Sequence, residues 1–308
     1  MGDLRIEKNV QNYWTRSIGH AAHYRVHNRK CSRPICHATY STPKLRTGKF
    51  MTQVAQCYLG VWKRRLIQRR SGYSDSETAV YWLQTPRLFA DLRIPKNPLP
   101  GLALESLSDS QRQALCEQQG FAGVTQVDAD ICQWHRKMDY QPVSGDEDIG
   151  RMHFETSDCL IETALDESYY EIWDRLPLSL GACRGQWLQA MDEPSRQGCL
   201  LLAGDYFLFA ASRPEPLLPG THLREMFSQS EPSKTAASLL ACELSFGQHH
   251  AGDAPWKIEC STLPANIGQF LLPSWVDPFA PDIFANDAVL SSLGTFIPAG
   301  GWRCAPDP

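Results

Sequence analysis

Eight polar and aromatic residues in the first half of the chain have the types and spacing of a small-ligand site. Along the segment RLFADLRI, Phe89, Asp91 and Arg93 share one face, because successive side chains of a β-strand point to opposite sides. The same alternation pairs an aromatic with a polar residue on two neighbouring segments. An Asp/Arg pair between aromatic walls suits a polar or anionic small ligand. The candidate ligand-binding residues are Trp62, Arg64, Trp82, Gln84, Phe89, Asp91, Arg93 and Trp134.

The opposite face of RLFADLRI is uniformly apolar, and this leaves a second interpretation open. If the apolar face is the core, Asp91 and Arg93 form a surface pair, and Trp62 only plugs one end of a barrel. If the mixed face points inward, we expect an internal cavity of several hundred Å³ around Trp62 and Arg93. The apolar residues in question are Leu88, Ala90, Leu92 and Ile94.

Histidines and an acidic run are the other candidates for chemistry. His135 and His153 could act as a general acid or base near neutral pH, but a lone histidine on a strand is more often structural, so we assign no catalytic residue. The pair His249–His250 has the setting of a polar hairpin loop, and the run 145–148 that of a solvated turn; we assign no metal and no cofactor. The alternative function is a barrel enzyme of the isomerase, cyclase or hydratase type, using Arg64, Asp91, Arg93 or His135.

Standard enzyme signatures are absent from the sequence. It contains no G-x-S-x-G, G-x-G-x-x-G, G-x4-G-K-[ST], H-E-x-x-H or C-x-x-C motif. The net charge of −4 opposes nucleic-acid binding, which needs a dense basic surface. We therefore expect no nucleic-acid partner.

The first fifty residues differ in composition from the rest. They hold ten Lys and Arg against Asp3 and Glu7, a net charge of +8, whereas residues 51–308 carry −12. We predict a basic, disordered extension over residues 1–50. Two alternatives stay open: a mitochondrial-type presequence, and a zinc site. The zinc site would use His20, His23, His27, Cys31, Cys36 and His37.

The sequence favours the cytoplasm. Its first thirty residues contain no apolar stretch of the kind found in secretory signals. The most apolar run, 199–211, has only thirteen residues and includes Asp205, which is too short to span a bilayer. The eleven cysteines are scattered singly, as reduced thiols are. We expect a cytoplasmic protein without a membrane partner.

An internal duplication is visible from residue 51 onward. Gly60-Val61-Trp62 is followed 125 residues later by Gly185-Gln186-Trp187, and both precede a strand–turn–strand pattern that ends in Arg-x-Pro or Arg-Pro. Trp134 and Pro142 match Trp256 and Pro264, and Gly150 matches Gly268. The order is conserved between the copies, with offsets between 118 and 125 residues. This predicts two copies of one fold, residues 51–174 and 175–308.

Each copy has the composition of an antiparallel β-domain. Short runs rich in Val, Leu, Tyr, Phe and Trp are separated by turns such as Thr85-Pro86 and Gly204-Asp205. One helix is expected over 109–119, with a capping box from Ser108 and an end at Gly120. A copy of this length with many strands predicts a closed up-and-down barrel, which leaves no open sheet edge. The fold class is therefore all-β, with two tandem antiparallel barrels and a short helix.

Several segments together resemble a known family. They are YLGVWKRRLI, WLQTPRLFADLRIP, Trp134-His135-Arg136 and AGDYFLFA, and they span most of residues 57–272. The chain resembles cytosolic proteins with two lipocalin-like (calycin) barrels, a family that includes a casein-kinase-interacting protein of budding yeast. The resemblance implies tandem lipocalin-like barrels, and a kinase partner by analogy alone. It supplies no catalytic residues.

The expected function follows from these observations. We expect a non-catalytic cytoplasmic protein that binds an unidentified small molecule in a barrel lumen, or a protein partner. The first copy carries the polar strand face and is the expected ligand site, whereas the more apolar second copy is the expected support.

Overall fold

The described part of the chain begins after the basic segment. The computed structural model describes residues 53–96, 99, 101–218, 222–229, 234–250, 255–272, 289–290 and 293–308. All of them belong to one unit, Phe50–Pro308. The predictions for residues 1–50, including the extension and the zinc ligands, lie outside the described residues.

Short strands make up most of the described chain. Those of the first half are β1 (Gly60–Arg69), β2 (Ser74–Asp75), β3 (Ala79–Gln84), β4 (Leu88–Ile94), β5 (Gln119–Asp128), β6 (Ile131–Asp139), β7 (Asp148–Thr156), β8 (Cys159–Ala164) and β9 (Tyr169–Arg175). Those of the second half are β10 (Cys183–Ala190), β11 (Gln197–Ala203), β12 (Tyr206–Ala211), β13 (Glu243–Gln248), β14 (Lys257–Ser261), β15 (Val289–Leu290) and β16 (Trp302–Ala305).

The helices are short and lie between strands. The α-helices are α1 (Asp109–Leu115), α2 (Leu223–Gln229) and α3 (Lys234–Leu239). Single 3₁₀ turns cover Gln56–Tyr58, Leu104–Ser106 and Pro264–Asn266. In the part of the chain that the structure describes, no helix has both the length and the apolar character needed to cross a bilayer.

The first half is a closed barrel. Its strands follow the order β1-β3-β4-β5-β6-β7-β8-β9, every neighbour is antiparallel, and β9 pairs with β1 from Trp62↔Arg175 to Arg69↔Tyr169. Closure gives each central strand two partners, which removes the edges that an open sheet would expose. Eight antiparallel strands in sequence order are the architecture of lipocalin barrels. The predicted all-β class and the first barrel are confirmed.

The second half forms an open sheet over its described residues. The strand order is β14-β13-β12-β11-β10-β16-β15, so β14 and β15 lie at opposite edges. Within the described ranges these two edge strands do not pair with each other. The second tandem barrel is therefore not confirmed.

The two halves pack against each other through the apolar outer face of the first barrel. Leu88, Ala90, Leu92 and Ile94 lie in one buried cluster with second-half residues such as Leu208 and Leu244. Aromatic rings continue the contact: Phe246 stacks on Tyr81 with 4.3 Å between ring centroids, and on Tyr206 with 5.6 Å. The second half thus covers the face that would otherwise be exposed.

Local sequence sets the start of α1, but tertiary pairing sets its end. Ser108 and Gln111 form the predicted capping box. The helix stops at Leu115 rather than at residue 119, because Gln119 already pairs with Arg93 of β4. Gly120 lies inside β5 and is not the helix cap. A Cβ at Gly120 would lie 2.9 Å from the Leu244 side chain, so glycine permits the close approach of the two halves.

Each half contains a β-bulge at a glycine. The register shifts between Ala122 and Gly123 where β5 meets β6, and between Phe246 and Gly247 where β13 meets β14. A Cβ at Gly123 would lie 2.0 Å from the backbone oxygen of His135, and one at Gly247 would lie 1.9 Å from that of Lys257. Only glycine fits either position.

Candidate functional site

The barrel lumen brings together the aromatic residues that the sequence singled out. Trp62, Trp82, Phe89 and Trp134 belong to one buried cluster inside the barrel. The ring of Trp82 meets that of Trp134 edge-on with 5.5 Å between centroids, and that of Trp173 with 5.9 Å. The mixed face of β4 therefore points inward. The alternative of a surface Asp91–Arg93 pair is wrong, because Asp91 is only 3% exposed.

Trp62 closes one end of the barrel together with Arg175. The guanidinium of Arg175 lies over the Trp62 ring, 4.1 Å from its centroid, and Trp62 Nε1 donates to the Tyr58 carbonyl at 2.8 Å. Arg175 also donates to backbone oxygens of Cys57, Leu59 and Ser157 and pairs with Asp158 at 3.1 Å. These contacts tie the 3₁₀ turn at the start of the barrel to the last strand and seal this end.

Gln84 lies in the lumen with its polar atoms satisfied. Its Oε1 accepts from Trp82 Nε1 at 3.2 Å and from Thr125 Oγ1 at 2.7 Å. Its Nε2 donates to the carbonyl of Thr85 at 2.7 Å. Because both ends of the amide are used, Gln84 holds strands together and has little capacity for a ligand.

Acidic residues dominate the other end of the lumen. Arg93 Nε donates to Asp91 at 2.7 Å, and Arg64 Nη1 donates to Glu171 at 2.8 Å. Arg64 also reaches Asp75 at 3.2 Å. Two further carboxyl groups join this network, and the sequence reasoning missed them along with Glu171. Four lumen carboxyl groups thus surround the guanidinium groups of Arg64 and Arg93, and they belong to Asp91, Asp148, Glu162 and Glu171.

The excess of acid shows in the protonation of Glu162. Burial raises its pKa well above the ordinary 4.5, and the neighbouring carboxyl groups of Glu171 and Asp148 raise it further. Arg93 and the hydroxyl of Tyr169, which donates to Glu162 at 3.2 Å, oppose this shift without cancelling it. Burial also raises the pKa of Glu171 despite Arg93 and Arg64. The two glutamates therefore hold a proton to pH values at which exposed glutamates have lost theirs.

Side chains fill most of the space at this acidic end. The remaining cavity has a volume of about 10 Å³ and contacts Asp91, Arg93, Asp148, Glu162 and five aromatic rings. That is room for one water molecule or a group of similar size, and not the several hundred Å³ expected for this region. The Nε1 of Trp173 lines this region, is buried and has no hydrogen-bond partner within the described residues.

A larger cleft adjoins the acidic end on the outside. It measures about 320 Å³ and lies between residues 133–139 of β6 and residues 143–148. It exists because β7 begins only at Asp148, so the later part of β6 pairs with β5 alone. Trp134 and Asp148 line both the cleft and the inner cavity. Asp148, expected in a solvated turn, instead begins a strand and binds Arg136 at 2.8 Å.

The histidines that the sequence offered as candidates lie outside the barrel lumen. His135 alternates with Trp134, so it points away from the lumen, and its Nε2 lies 3.3 Å from Gln126 Oε1. His153 pairs with Glu155 in an exposed position. His249 lies directly after β13, in the segment that connects it to β14, but its side chain is buried, and burial lowers its pKa to about 4. Among the described residues, no group of three or more His, Cys, Asp and Glu side chains could hold a metal ion.

Comparison with known proteins adds a likeness of fold. No protein-family model matches the sequence, and no curated protein matches it. Among solved structures, this one is similar to the uncharacterized protein YLR301w from Saccharomyces cerevisiae, with a TM-score of 0.50 and 13% identity over 81% of this chain and 98% of that chain. A lipocalin-like protein from Bacteroides uniformis is 12% identical over 39% of this chain and 99% of its own, with a TM-score of 0.28. Membership of the two-barrel family stays a prediction.

Proposed function

We propose that the protein is a non-catalytic binding protein whose first barrel takes a small organic cation. The ammonium group of the ligand occupies the acidic cavity of about 10 Å³, and its body lies in the adjoining cleft of about 320 Å³. The observation that carries this proposal is the acid excess: four lumen carboxyl groups face three guanidinium groups, those of Arg64, Arg93 and Arg136, and Glu162 is the carboxyl that pairs with none of them among the described residues.

Charge selects a cation over the anion that the Asp91–Arg93 pair first suggested. Asp91 already neutralises Arg93, and Glu171 and Asp75 neutralise Arg64. Arg136 pairs with Asp148 in the same way, so an incoming anion would meet Glu162 with no guanidinium left over. A cation instead replaces the proton that burial keeps on the glutamates, so its binding releases a proton.

The aromatic walls also favour a cation. The face of an aromatic ring attracts a cation within about 6 Å of its centre. Phe121 lines the cavity and already carries the guanidinium of Arg136 at 3.5 Å and that of Arg93 at 5.1 Å. The tryptophans of the same wall extend this environment to Trp134, which also lines the outer cleft.

Size restricts the part of the ligand that enters the lumen. A cavity of about 10 Å³ admits a group close in size to water, such as a primary ammonium, and excludes a ring or a branched chain. The outer cleft lies at the lower end of the volumes typical of small-molecule sites, about 300–1,000 Å³. A primary amine with a short body matches both spaces.

Calorimetric titration with three probes of the same length tests the proposal. We expect n-butylammonium to bind, and n-butanol and butyrate not to bind. Asp148→Asn should weaken butylammonium binding about tenfold, the loss expected for one charge-assisted hydrogen bond.

The matched control is Glu155→Gln, an exposed carboxylate on the same strand, β7, which should leave the affinity unchanged. Butyrate binding as tight as butylammonium would contradict the proposal. Equal effects of Asp148→Asn and Glu155→Gln would contradict the placement of the site.

The cytoplasmic location and the tandem duplication are part of the same proposal. The nine cysteines of the described residues are all free thiols, which supports a reducing compartment. The bulge glycines Gly123 and Gly247 occupy matching strand pairs, which supports a common origin of the two halves and hence a barrel-like second half. If no amine binds, the function that remains is the binding of a protein partner.

A further inference from the structure

A second cleft lies where the two halves of the chain meet, away from the barrel lumen. Its volume is about 260 Å³. The first half contributes the end of β6 and the segment after it, from Lys137 to Val143, and the second half contributes segments 195–197 and 212–217. Lys137, Arg196 and Arg213 line it, and Asp139 is the acidic residue among its lining side chains.

Arg196 is buried without an acidic partner. It is 7% exposed, and its Nε and Nη2 donate to the backbone oxygens of Ser212 and Phe296. Among the described residues its Nη1 has no hydrogen-bond partner, and no carboxylate lies within ion-pair distance. Asp192, Glu193 and Glu243 act on it only from farther away, and burial lowers its pKa.

Arg213 is buried in the same way. It is 6% exposed and donates to three backbone oxygens, those of Leu239, Asp139 and Tyr140. Within the described chain it forms no ion pair with a carboxylate either. The side chain of Asp139 is engaged elsewhere, because it accepts from Arg136 at 3.0 Å and from the Gln141 amide at 2.9 Å.

The buried arginines of the first half, in contrast, form ion pairs with acidic side chains. Arg64 pairs with Glu171 and Asp75, and Arg175 pairs with Asp158. A buried charge without a counter-ion is costly, so an anion gains affinity where two such charges line one space. Lys137 is exposed at the same cleft and adds a third cation.

We propose that this cleft binds a phosphate group, held by Arg196 and Lys137 with Arg213 supplying further positive charge. Guanidinium groups match phosphate oxygens in geometry, and Lys137 adds a point charge. Ser212 lines the cleft as well; its Oγ accepts from the Gln197 amide at 2.9 Å, so its hydroxyl hydrogen is left to donate to a phosphate oxygen. The site is distinct from the acidic cavity of the lumen, although Lys137 also lines the outer cleft of the proposed amine site.

Titrations with sodium phosphate and with glycerol 3-phosphate, at constant ionic strength in sodium chloride, test this inference. Both probes carry the phosphate group, and the tighter of the two identifies free phosphate or a phosphate ester as the source. We expect saturable binding by calorimetry and a shifted phosphorus NMR signal. Lys137→Ala should weaken binding about tenfold.

Two further variants keep the test decisive. Arg196→Gln should weaken phosphate binding at least as much as Lys137→Ala, provided that its circular dichroism spectrum matches the wild type; if it does not fold, Lys137→Ala alone decides. Lys257→Ala removes an exposed lysine on β14 and should change nothing. Absence of saturable binding by the wild type, or equal effects of Lys137→Ala and Lys257→Ala, would overturn the inference.

Discussion

Both halves of the molecule stack an arginine on a buried tryptophan, but they neutralise the arginine differently. In the first half, Arg175 lies 4.1 Å from the Trp62 ring centre and pairs with Asp158. In the second half, Arg196 lies 5.2 Å from the Trp302 ring centre, and among the described residues its hydrogen bonds go to backbone oxygens alone. In the first half, Asp158 therefore neutralises the stacked arginine, and the excess charge of this half is the acid in the barrel lumen. In the second half, the stacked arginine keeps its positive charge at the cleft between the halves.

This difference indicates how the two halves divide the binding work. The inner face of the second sheet is a cluster of Leu, Phe and Trp side chains, and Glu243 beside it is satisfied by Ser245, Asn266 and the Thr295 amide. The first lumen instead holds Glu162, which accepts a hydrogen bond from Tyr169 but forms no ion pair with an arginine among the described residues. We infer that the first barrel recognises positive charge and that the junction with the second half recognises negative charge.

The largest expected effect is the loss of a buried counter-ion. Arg64→Ala should reduce the free energy of unfolding by about 3–5 kcal/mol, because it leaves the buried carboxyl group of Glu171 without its hydrogen-bond partner and removes the ion pair with Asp75. Arg196→Ala should cost about 2 kcal/mol, since it removes hydrogen bonds to two backbone oxygens and exposes no acid. Urea unfolding curves measure both.

Arg151→Ala serves as the control for these two variants. Its pair with Asp130 is half exposed on both sides, so about 0–1 kcal/mol is expected. If Arg196→Ala proved as costly as Arg64→Ala, the electrostatic contrast between the halves would be wrong.

The bulge glycines should behave alike in both halves. Gly123→Ala and Gly247→Ala each place a methyl group against a backbone carbonyl that cannot move aside, so a cost of about 3 kcal/mol is expected for each. Gly72→Ala, where a Cβ meets nothing within 4 Å but φ is +91°, should cost about 1 kcal/mol. If only one of the two alanine variants destabilised the protein, the two strand pairs would not be equivalent.

The halves should also respond to pH with opposite signs. The raised pKa of Glu162 means that the folded state binds the extra proton, so its contribution to stability is present below pH 4.5 and is lost as the pH rises through the folded pKa. Glu162→Gln should remove that loss. Burial lowers the pKa of His249 from 6.5 to about 4, so its contribution is lost as the pH falls through that window, and His249→Gln should remove it.

Thermal melts of the two variants at several pH values separate these contributions. The groups that face Glu162 are Glu171, Asp148, Arg93 and Tyr169. Those that face His249 are His250, Asp205 and the Gly204 carbonyl. If the melting temperatures of the wild type and of Glu162→Gln changed with pH in parallel, the lumen would not hold a protonated glutamate.

The smallest effect concerns Lys137, which lines both clefts. Lys137→Ala should weaken phosphate binding about tenfold and strengthen butylammonium binding a few-fold, because it removes a positive charge near each site. Salt should reduce both changes, since exposed charges are screened. A change of the same sign for both probes would contradict the assignment of opposite charge preferences.

Strand alternation predicted much of the lumen but not its charge. It grouped Phe89, Asp91 and Arg93 on one face, as observed. It could not decide which face points inward, because that depends on the second half covering Leu88 and Leu92. Local sequence alone does not contain that contact.

Of the lumen acids that the sequence did not single out, Glu171 could have been identified from strand alternation, whereas Glu162 could not. Glu171, Trp173 and Arg175 alternate on β9, so an acid next to a lumen tryptophan could have been suspected. Glu162 lies in the apolar run CLIETA, whose acid looks like a solvent-facing residue until closure of the barrel places it inside.

The tryptophan correspondence between the copies was only partly informative. Trp187, matched to Trp62 by its Gly-x-Trp motif, lies in the core between the halves, and the arginine-stacked tryptophan of the second half is Trp302. Trp187 lies between the halves because β10 packs against the first barrel, and residue spacing in the sequence does not predict that contact. Asp148 likewise looked like part of a turn because it directly follows the turn-like segment 144–147, Ser-Gly-Asp-Glu.

A carbon-13 NMR titration of the Glu162 side-chain carboxyl tests most directly whether the acidic lumen exchanges a proton for an organic cation. In the protein without ligand, we expect a titration midpoint well above 4.5. Saturation with n-butylammonium should lower this midpoint, whereas butyrate should not. A midpoint near 4.5 in the ligand-free protein, or one that butylammonium leaves unchanged, would contradict this exchange.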